Sequence, residues 1–245
     1  MIRALMLMLA LGAAPAAACD RLVFDDARFT ACRVDLARTE TRLFLRDDAG
    51  AIFGSFGRVE AALPPGKRLG LAMNAGMFHE DRSPVGHYVE DGVEEMPVIT
   101  SDGPGNFGLL PNGVLCLSDG HAAIVESRAY ADAPPDCRDA TQSGPMLVID
   151  GHLHPRFLED GSSRNIRNGV GVGRGGRVLH LVISDEPVNF HHFARFFRDH
   201  LAVPQALYFD GRVSRLYVPA IGRTDIGLPV GPIIGTVVDA APADG

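Results

Sequence analysis

Apart from its first 18 residues, this chain of 245 residues has no apolar run long enough to cross a bilayer, which takes about 20 residues. It is therefore not a polytopic membrane protein. Its 28 Gly and 17 Pro follow no repeating period, and 46% of its residues are hydrophobic. The missing period excludes a collagen-like chain, and the apolar fraction excludes a wholly disordered one. One globular domain of ordinary size remains.

Basic residues are also few: 23 Lys and Arg face 30 Asp and Glu, for a formal net charge of −7. This is the wrong sign for general binding to nucleic acid or to an anionic membrane, so we expect no nucleic-acid partner. Two histidine groups, His191-His192 and His152 with His154, have no nearby acid or cysteine to complete a recognised ligand set. We expect neither a metal nor another cofactor.

The first 18 residues have the pattern of a secretory signal peptide. Arg3 supplies a positive charge, Ala4 to Gly12 form an apolar block, and Ala16-Ala17-Ala18 are the small residues that signal peptidase requires. A buried N-terminal helix would not explain those small residues. The pattern predicts a mature domain of residues 19–245, periplasmic or secreted. A lipid anchor on Cys19 is the minority alternative, since the preceding segment lacks the large aliphatic residue expected three positions upstream.

Four cysteines lie in the mature part of the chain, and no two are spaced as C-x-x-C; they are Cys19, Cys32, Cys116 and Cys137. An even number in a chain bound for an oxidising compartment predicts two disulfides. Proximity in sequence favours Cys19–Cys32 and Cys116–Cys137, although four cysteines allow three connectivities.

Short apolar runs repeatedly end at Asp-Gly pairs, which predicts β-hairpins because Asp and Gly tolerate the positive φ that both turn positions need. The pairs are Asp91-Gly92, Asp119-Gly120, Asp150-Gly151 and Asp210-Gly211. A further hairpin is predicted where Arg174-Gly175-Gly176-Arg177 separates two apolar runs, Val170 to Gly173 and Val178 to Ser184.

One long helix is predicted over residues 189–201. There Phe190, Phe193, Phe196 and Phe197 form a single apolar stripe, which should pack on the sheet. The predicted fold class is α+β: a strand-rich mixed sheet with hairpins and one long helix, in a single domain.

Polar residues follow two apolar runs in a way that is typical of ligand sites. Asn74 comes directly after Leu69 to Met73, where an amide either caps a turn or binds a polar ligand. Gln142, Ser143 and Gly144 lead into the predicted strand Met146 to Ile149, and Gly144 would let a ligand approach the backbone closely. Simple solvation of the loop is the alternative for Gln142 and Ser143. No G-x-S-x-G motif is present, so a serine hydrolase is not indicated.

Two arginines and two acidic positions complete the candidates. Arg164 and Arg167 resemble a planar clamp for phosphate or carboxylate, with surface salt bridging as the alternative. Asp185 and Asp210 each follow a predicted strand, so they would converge on one cleft as the acid pair of a glycoside hydrolase does. The alternatives are a favourable charge before the helix for Asp185 and a plain hairpin turn for Asp210.

These segments occur in a definite order along the chain. They are Asn74-Ala75-Gly76-Met77-Phe78, Pro104-Gly105-Asn106-Phe107, Pro111-Asn112-Gly113, Gln142 to Gly151, Arg167 before Gly169-Val170-Gly171, and Leu207 to Gly211. In this order and spacing they resemble the phosphodiester glycosidase family. The resemblance runs from about Leu69 to Pro219, most of the mature chain.

The resemblance implies an α+β enzyme of the cell envelope that cleaves a sugar from a sugar-1-phosphodiester and leaves the phosphate on the other partner. It implies that Arg167 holds the phosphate and that Asp210 is the carboxylate catalyst. Asn74 and the loop of Gln142, Ser143 and Gly144 would orient sugar and phosphate oxygens, and Asp185 is a further candidate for substrate binding. Because a phosphodiester leaves readily, stabilising positive charge at C1 matters more than a strong general acid.

The chain departs from the family pattern just after Asp210. Where the family continues with a glycine-rich, serine-containing run, this chain has Gly211-Arg212-Val213-Ser214-Arg215. A second hypothesis therefore stands beside the enzyme: a non-catalytic envelope module that binds a phosphosugar or glycan and has lost turnover.

Overall fold

A computed structural model describes residues 17–240. The signal peptide predicted for residues 1–18 lies outside them except for Ala17 and Ala18, which begin the first strand. No helix of the described residues is long and apolar enough to cross a membrane.

Strands make up most of the regular structure. The strands are β1 (Ala17–Phe24), β2 (Ala27–Asp35), β3 (Glu40–Phe44), β4 (Lys67–Asn74), β5 (Tyr88–Glu90), β6 (Val93–Met96), β7 (Gly113–Ser118), β8 (His121–Glu126), β9 (Asp139–Ser143), β10 (Met146–Ile149), β11 (His152–Leu153), β12 (Asn168–Val172), β13 (Val178–Ser184), β14 (Gln205–Asp210), β15 (Leu216–Val218), β16 (Arg223–Thr224) and β17 (Ile233–Asp239). The helices are α1 (Phe56–Ala62), α2 (Ser127–Asp132) and α3 (Phe190–Arg195), with a π-helical turn at Phe196–His200 and a 3-10 turn at Pro219–Ile221.

Within residues 17–240 these strands form three antiparallel sheets. Sheet 1 has the order β1-β2-β13-β12-β14-β10-β11, sheet 2 the order β16-β15-β4-β17-β3, and sheet 3 the order β6-β5-β9-β7-β8. The strand-rich α+β class is confirmed, and the strands expected in one mixed sheet are divided among three. Apolar side chains from all three sheets, such as Leu181, Met73 and Leu115, share one buried core.

The predicted turn chemistry accounts for most of the hairpins. Asp91-Gly92 joins β5 to β6 with φ of 49° and 76°, and Asp150-Gly151 joins β10 to β11 with φ of 49° and 81°. Asp119-Gly120 joins β7 to β8, and the segment around Gly175 joins β12 to β13. These hairpins are confirmed.

The hairpin predicted at Asp210-Gly211 is wrong. β14 ends at Asp210 in sheet 1, whereas the next strand, β15, pairs with β4 in sheet 2, with Leu216 opposite Met73. The carboxylate of Asp210 accepts hydrogen bonds from the backbone amides of Gly211 and Arg212, at 2.6 and 2.8 Å. Such side-chain capping ends the strand without a return strand, so the chain crosses between sheets here.

The helix predicted over 189–201 is present as α3 followed by the π-helical turn. The side chain of Asn189 caps its start by accepting a hydrogen bond from the amide of His192 at 2.8 Å. Phe193, Phe196 and Phe197 are fully buried, and the Phe196 ring stacks on Phe29 of β2 with centroids 4.3 Å apart. The aromatic stripe therefore packs on sheet 1, as its spacing predicted.

The structure contains the two disulfides that sequence proximity favoured. Cys19–Cys32 joins β1 to β2, and Cys116–Cys137 joins β7 to the segment before β9, with sequence separations of 13 and 21. Each one closes a loop of the unfolded chain.

We expect the double variant Cys116→Ala/Cys137→Ala to lose about 3 kcal/mol of unfolding free energy, because its unfolded chain is no longer restricted by a closed loop of that length. Urea unfolding at equilibrium measures the change. The matched variant Cys19→Ala/Cys32→Ala should lose slightly less, because its loop is shorter. A loss below about 1 kcal/mol in the first variant would contradict the prediction.

Glu90 of β5 is a half-buried acid between sheets 3 and 2. Its carboxylate accepts hydrogen bonds from the Leu45 amide at 3.0 Å and from the Tyr88 hydroxyl at 2.8 Å. Burial raises the pKa of Glu90 to about 7, although both hydrogen bonds act in the opposite direction.

Because the pKa of Glu90 is higher in the folded state, its contribution to stability is complete below its ordinary pKa and is lost as pH rises through about 7. Glu90→Gln keeps a neutral side chain of the same shape. We expect the variant to gain stability relative to the wild type between about pH 5 and about pH 8. Urea unfolding of both proteins at the two pH values measures this gain, and an unchanged difference would exclude Glu90 as the titrating group.

Candidate functional site

Four strand ends, contributed by all three sheets, meet at one place. β4 ends at Asn74, β9 ends at Ser143, β12 begins at Asn168 and β14 ends at Asp210. All four residues are buried. Asn168 lies opposite Asp210, and the pairing between β12 and β14 shifts register immediately beyond them, before Gly169. Such a β-bulge re-aims the side chains beside it and is frequent next to active sites.

Two buried asparagines hold these strand ends together. The side-chain Nδ2 of Asn168 donates to both the backbone oxygen and Oδ1 of Asn74, each at 2.9 Å. Its Oδ1 accepts from the backbone amide of Asp210 at 3.0 Å, and Asn74 Oδ1 accepts from the amide of Arg215 at 2.9 Å. Nδ2 of Asn74 has no hydrogen-bond partner among the described residues. Asn74 therefore acts on Asp210 through Asn168, and the donors of its Nδ2 stay unpaired within the described residues.

Gln142 and Ser143 are committed to partners within the protein. Gln142 Oε1 accepts from the amides of His87 and Ile99, each at 3.0 Å, and its Nε2 donates to the Ile99 carbonyl and the Ser127 hydroxyl. Ser143 Oγ donates to the backbone oxygen of Phe209 at 3.0 Å, which ties β9 of sheet 3 to β14 of sheet 1. Both side chains thus organise the strands and loops around the site.

Gly144 lies beneath the loop of residues 104–107. A Cβ at this position would come within 2.6 Å of Asn112 Cβ and 3.0 Å of the Phe107 carbonyl oxygen. Nδ2 of Asn112 donates to that same carbonyl at 2.9 Å, which holds the loop down. Gly144 is required here for close packing of the loop.

A cavity of about 560 Å³ opens beside Asp210. Its polar walls come from Asn106, Asn165, Tyr208, Asp210 and Arg212, and its apolar walls include Met77, Phe78 and Phe107. This volume and this mixture of apolar surface with a few polar groups are typical of small-molecule sites. Gln142, Ser143, Gly144, Asn74 and Arg167 are not part of its described lining.

Asp210 is a desolvated carboxylate at this cavity. Burial raises its pKa, while the backbone amides of residues 211–213 and the positive charge of Arg212 act to lower it. The two amide hydrogen bonds to Oδ1 fix the orientation of the carboxylate. The arrangement suits an acid that interacts with a developing positive charge in a site poor in water.

Arg167 lies one layer behind the cavity. Its Nε donates to the Val188 carbonyl at 2.9 Å, its Nη2 to the Ser163 carbonyl at 2.8 Å, and its Nη1 to the Tyr208 hydroxyl at 3.2 Å. The guanidinium also stacks on the Phe190 ring at 3.7 Å, and the side chain is fully buried. Burial lowers the pKa of Arg167, and no carboxylate of the described residues forms an ion pair with it. Its guanidinium is committed to protein partners and does not face the cavity as a phosphate clamp would.

Tyr208 connects Arg167 to the cavity and is not among the site residues predicted from the sequence. Its hydroxyl accepts the hydrogen bond from Arg167, and a Cβ at Gly211 would come within 2.2 Å of that oxygen. Burial raises the pKa of Tyr208, while the Arg167 cation opposes the rise. The available signal was strand periodicity, because Tyr208 lies two residues before Asp210 on the same strand. Asn168 was also missed, although it directly follows Arg167.

Asp185 lies outside this cavity. Its carboxylate accepts a hydrogen bond from Thr30 Oγ1 at 3.0 Å and pairs with Arg223 at 2.5 Å, in a separate groove. In sheet 1, β12 separates β13, which precedes Asp185, from β14, which carries Asp210. The structure therefore does not bring the two acids together. No cluster of three or more His, Cys, Asp or Glu in residues 17–240 has a geometry that would hold a metal ion.

Comparisons with known proteins show which family and which solved structures this chain is similar to. The model of the phosphodiester glycosidase family matches residues 67–233. The uncharacterized protein YigE of Escherichia coli K12 is 31% identical over 205 residues, which cover 83% of this chain and 80% of YigE.

Solved structures with the same fold share much less sequence. The catalytic domain of zebrafish N-acetylglucosamine-1-phosphodiester alpha-N-acetylglucosaminidase, auto-inhibited by its pro-peptide, superposes with a TM-score of 0.62 at 14% identity, over 91% of this chain and 83% of that one. A putative exported protein of Burkholderia pseudomallei K96243 superposes with a TM-score of 0.55 at 12% identity, over 86% and 74%.

Proposed function

Because this chain belongs to the phosphodiester glycosidase family, we propose that it is an envelope glycosidase that hydrolyses a glycosyl-1-phosphodiester to free sugar and phosphomonoester. The observation that carries the proposal is the buried, oriented carboxylate of Asp210 at a cavity of about 560 Å³. The related zebrafish catalytic domain is named for this class of reaction. Two disulfides support a periplasmic or secreted location, where such bonds persist.

In this proposal Asp210 is the catalytic residue. As the bond between C1 and the phosphate oxygen breaks, its electron pair stays on the phosphate and positive charge develops at C1. The ionised Asp210 stabilises that charge at short range. A water oxygen then bonds to C1 and its surplus proton passes to the departed phosphomonoester or to solvent water, which leaves the free sugar. The polar groups of Asn106 and Asn165 are placed to bind sugar hydroxyls, and Phe78 and Phe107 supply apolar surface for the sugar ring.

Asn74, Gln142, Ser143 and Gly144 support this site rather than contact the sugar. Asn74 positions Asp210 through Asn168, Ser143 secures the end of β14, and Gln142 and Gly144 hold the adjoining loops. The unpaired charge of Arg167 favours an anion in the cavity from behind, acting through Tyr208. Asp185 is not needed in this mechanism.

A binding module without turnover is the second candidate. It is favoured by one observation: Arg212 lines the cavity next to Asp210, where the family pattern has small residues. Such a module would bind a phosphosugar or glycan and release no sugar from it.

Hydrolysis of a panel of sugar-1-phosphodiesters by the purified protein tests both candidates, with free sugar and phosphomonoester quantified separately. The glycosidase is expected to release the two in equal amounts. Release of sugar-1-phosphate would instead identify a phosphodiesterase. Binding without release of any product would favour the binding module.

A further inference from the structure

Arg212 lines the cavity beside Asp210, and its guanidinium remains available to bind a ligand. Its side chain is exposed at the cavity and forms no hydrogen bond or ion pair with the described residues. Its backbone, in contrast, is held firmly. The Arg212 amide donates to Asp210 Oδ1 at 2.8 Å, and Ser214 Oγ donates to the Asp210 backbone oxygen at 3.0 Å. A fixed backbone therefore presents a free cation to the cavity.

Arg167 and Arg215, which lie close to Asp210, are both occupied. Arg167 is buried, with Nε, Nη1 and Nη2 all donating to protein oxygens. Arg215 donates to the backbone oxygens of Asp225 and Leu228, and its guanidinium lies over the Phe56 ring at 5.3 Å. Neither one can bind a ligand without breaking contacts that hold the fold. Binding by Arg212 breaks none.

The position of Arg212 also matches the geometry of the proposed substrate. In a glycosyl-1-phosphodiester the phosphorus is one oxygen away from C1, so a cation that binds the phosphate must lie close to the carboxylate that faces C1. Arg212 lies two residues after Asp210 at the same cavity, and the two side chains form no ion pair with each other in the described part of the chain. Each charge therefore remains available for its own part of the substrate.

We propose that Arg212, rather than Arg167, binds the phosphate of the substrate and makes the site selective for charged phosphodiesters over neutral glycosides. The planar guanidinium offers paired N–H donors that fit two phosphate oxygens at once. Arg167 then acts as a positioning residue that holds Tyr208. This inference rests on the proposed function for the identity of the substrate, and on the cavity alone for the binding of phosphate.

Kinetics with two substrates of the same sugar test the proposal: its methyl phosphodiester and its neutral p-nitrophenyl glycoside. Arg212→Gly is expected to raise KM for the phosphodiester about tenfold or more, since a charged hydrogen-bond pair is lost, while KM for the neutral glycoside stays within about twofold. Arg212→Lys should have a KM for the phosphodiester between those of the wild type and Arg212→Gly, because an ammonium binds as a point charge.

The acidic limb of the kcat/KM profile of Arg212→Gly should also move to higher pH, because the cation that lowers the pKa of Asp210 is gone.

Arg174→Gly is the matched control. Arg174 is exposed in the turn at the far end of β12, so the variant loses the same charge away from the cavity. It is expected to behave as the wild type with both substrates. An unchanged KM for the phosphodiester in Arg212→Gly would overturn the proposal, as would an equal rise for the neutral glycoside.

Calorimetric titration with methyl phosphate and with free sugar separates this proposal from the proposed function. If the wild type hydrolyses no phosphodiester, the proposed function fails, and the titration still decides the role of Arg212. Weaker binding of methyl phosphate by Arg212→Gly, by about tenfold, with unchanged binding of the sugar, supports Arg212 as the phosphate ligand. An unchanged Kd for methyl phosphate overturns it.

Discussion

Asp210→Asn is expected to lower kcat with a sugar-1-phosphodiester by about 10³-fold, within the range for loss of a catalytic carboxylate, and to leave the fold intact. Asparagine has the same shape, and its Oδ1 can still accept the hydrogen bonds from the amides of Gly211 and Arg212. It lacks the negative charge that stabilises C1. Steady-state kinetics measure the loss, and thermal unfolding verifies that the variant is folded.

Asp150→Asn is the matched control for that experiment. Asp150 also stands between a strand of sheet 1 and a glycine, because it directly follows β10. It is exposed in a hairpin turn, and its Oδ1 accepts from Gln205 Nε2 at 2.7 Å. Its substitution should leave kcat unchanged. If Asp210→Asn kept more than about a tenth of the wild-type kcat, Asp210 would not be the catalytic carboxylate.

Under the proposed mechanism the wild-type protein should also lose turnover as pH falls through the pKa of Asp210, because that mechanism requires the ionised carboxylate. Burial raises that pKa, so the loss begins at a higher pH than for an ordinary aspartate.

Arg167→Met is expected to lower the free energy of unfolding by about 2 to 4 kcal/mol. It removes three hydrogen bonds that the buried guanidinium donates, to the carbonyls of Val188 and Ser163 and to the Tyr208 hydroxyl, each worth about 1 to 1.5 kcal/mol. Relief from burying an unpaired cation offsets part of this cost. Turnover should fall as well, because Tyr208 loses the donor that positions its hydroxyl at the cavity. Urea unfolding and steady-state kinetics on the same preparation measure both effects.

The size of the stability loss separates two roles for Arg167. A direct phosphate ligand in an open cavity would lose activity on substitution with little change in stability. A buried positioning residue loses both together. Arg174→Met, at an exposed turn, should change stability by less than about 0.5 kcal/mol. Full stability with lost turnover in Arg167→Met would restore the direct-ligand assignment made from the sequence pattern.

Local residue chemistry alone determines several hairpins, the start of the long helix and the disulfide pairing of this protein. Asp91-Gly92 and Asp150-Gly151 make hairpins because two adjacent residues tolerate positive φ. The helix after Asn189 follows from a cap and an aromatic stripe within four turns of chain. The disulfides join cysteines 13 and 21 residues apart, so short loops favoured them.

The candidate site was located by sequence only as a set of segments. Motif order brought Asn74, Arg167 and Asp210 into one hypothesis, and the structure places all three near the same strand ends. Motif order alone did not distinguish the side chains that face the cavity from the side chains that support it from behind. Gln142 and Ser143 have the polar groups of ligand residues, yet their partners are the protein's own backbone and hydroxyl groups.

The tertiary structure alone decided which arginine is free, which acid faces the cavity and where the chain leaves sheet 1. Asp210-Gly211 has the same turn chemistry as the true hairpins, but β15 gains its partner in β4, far earlier in the chain. Asn168 holds Asn74 across 94 positions. Turn preference and helical periodicity depend on neighbouring residues, so they can be predicted from the sequence. Burial and hydrogen-bond partners depend on which distant strands meet, so they cannot. For that reason two arginines of identical chemistry, Arg167 and Arg212, have opposite exposure in the folded protein.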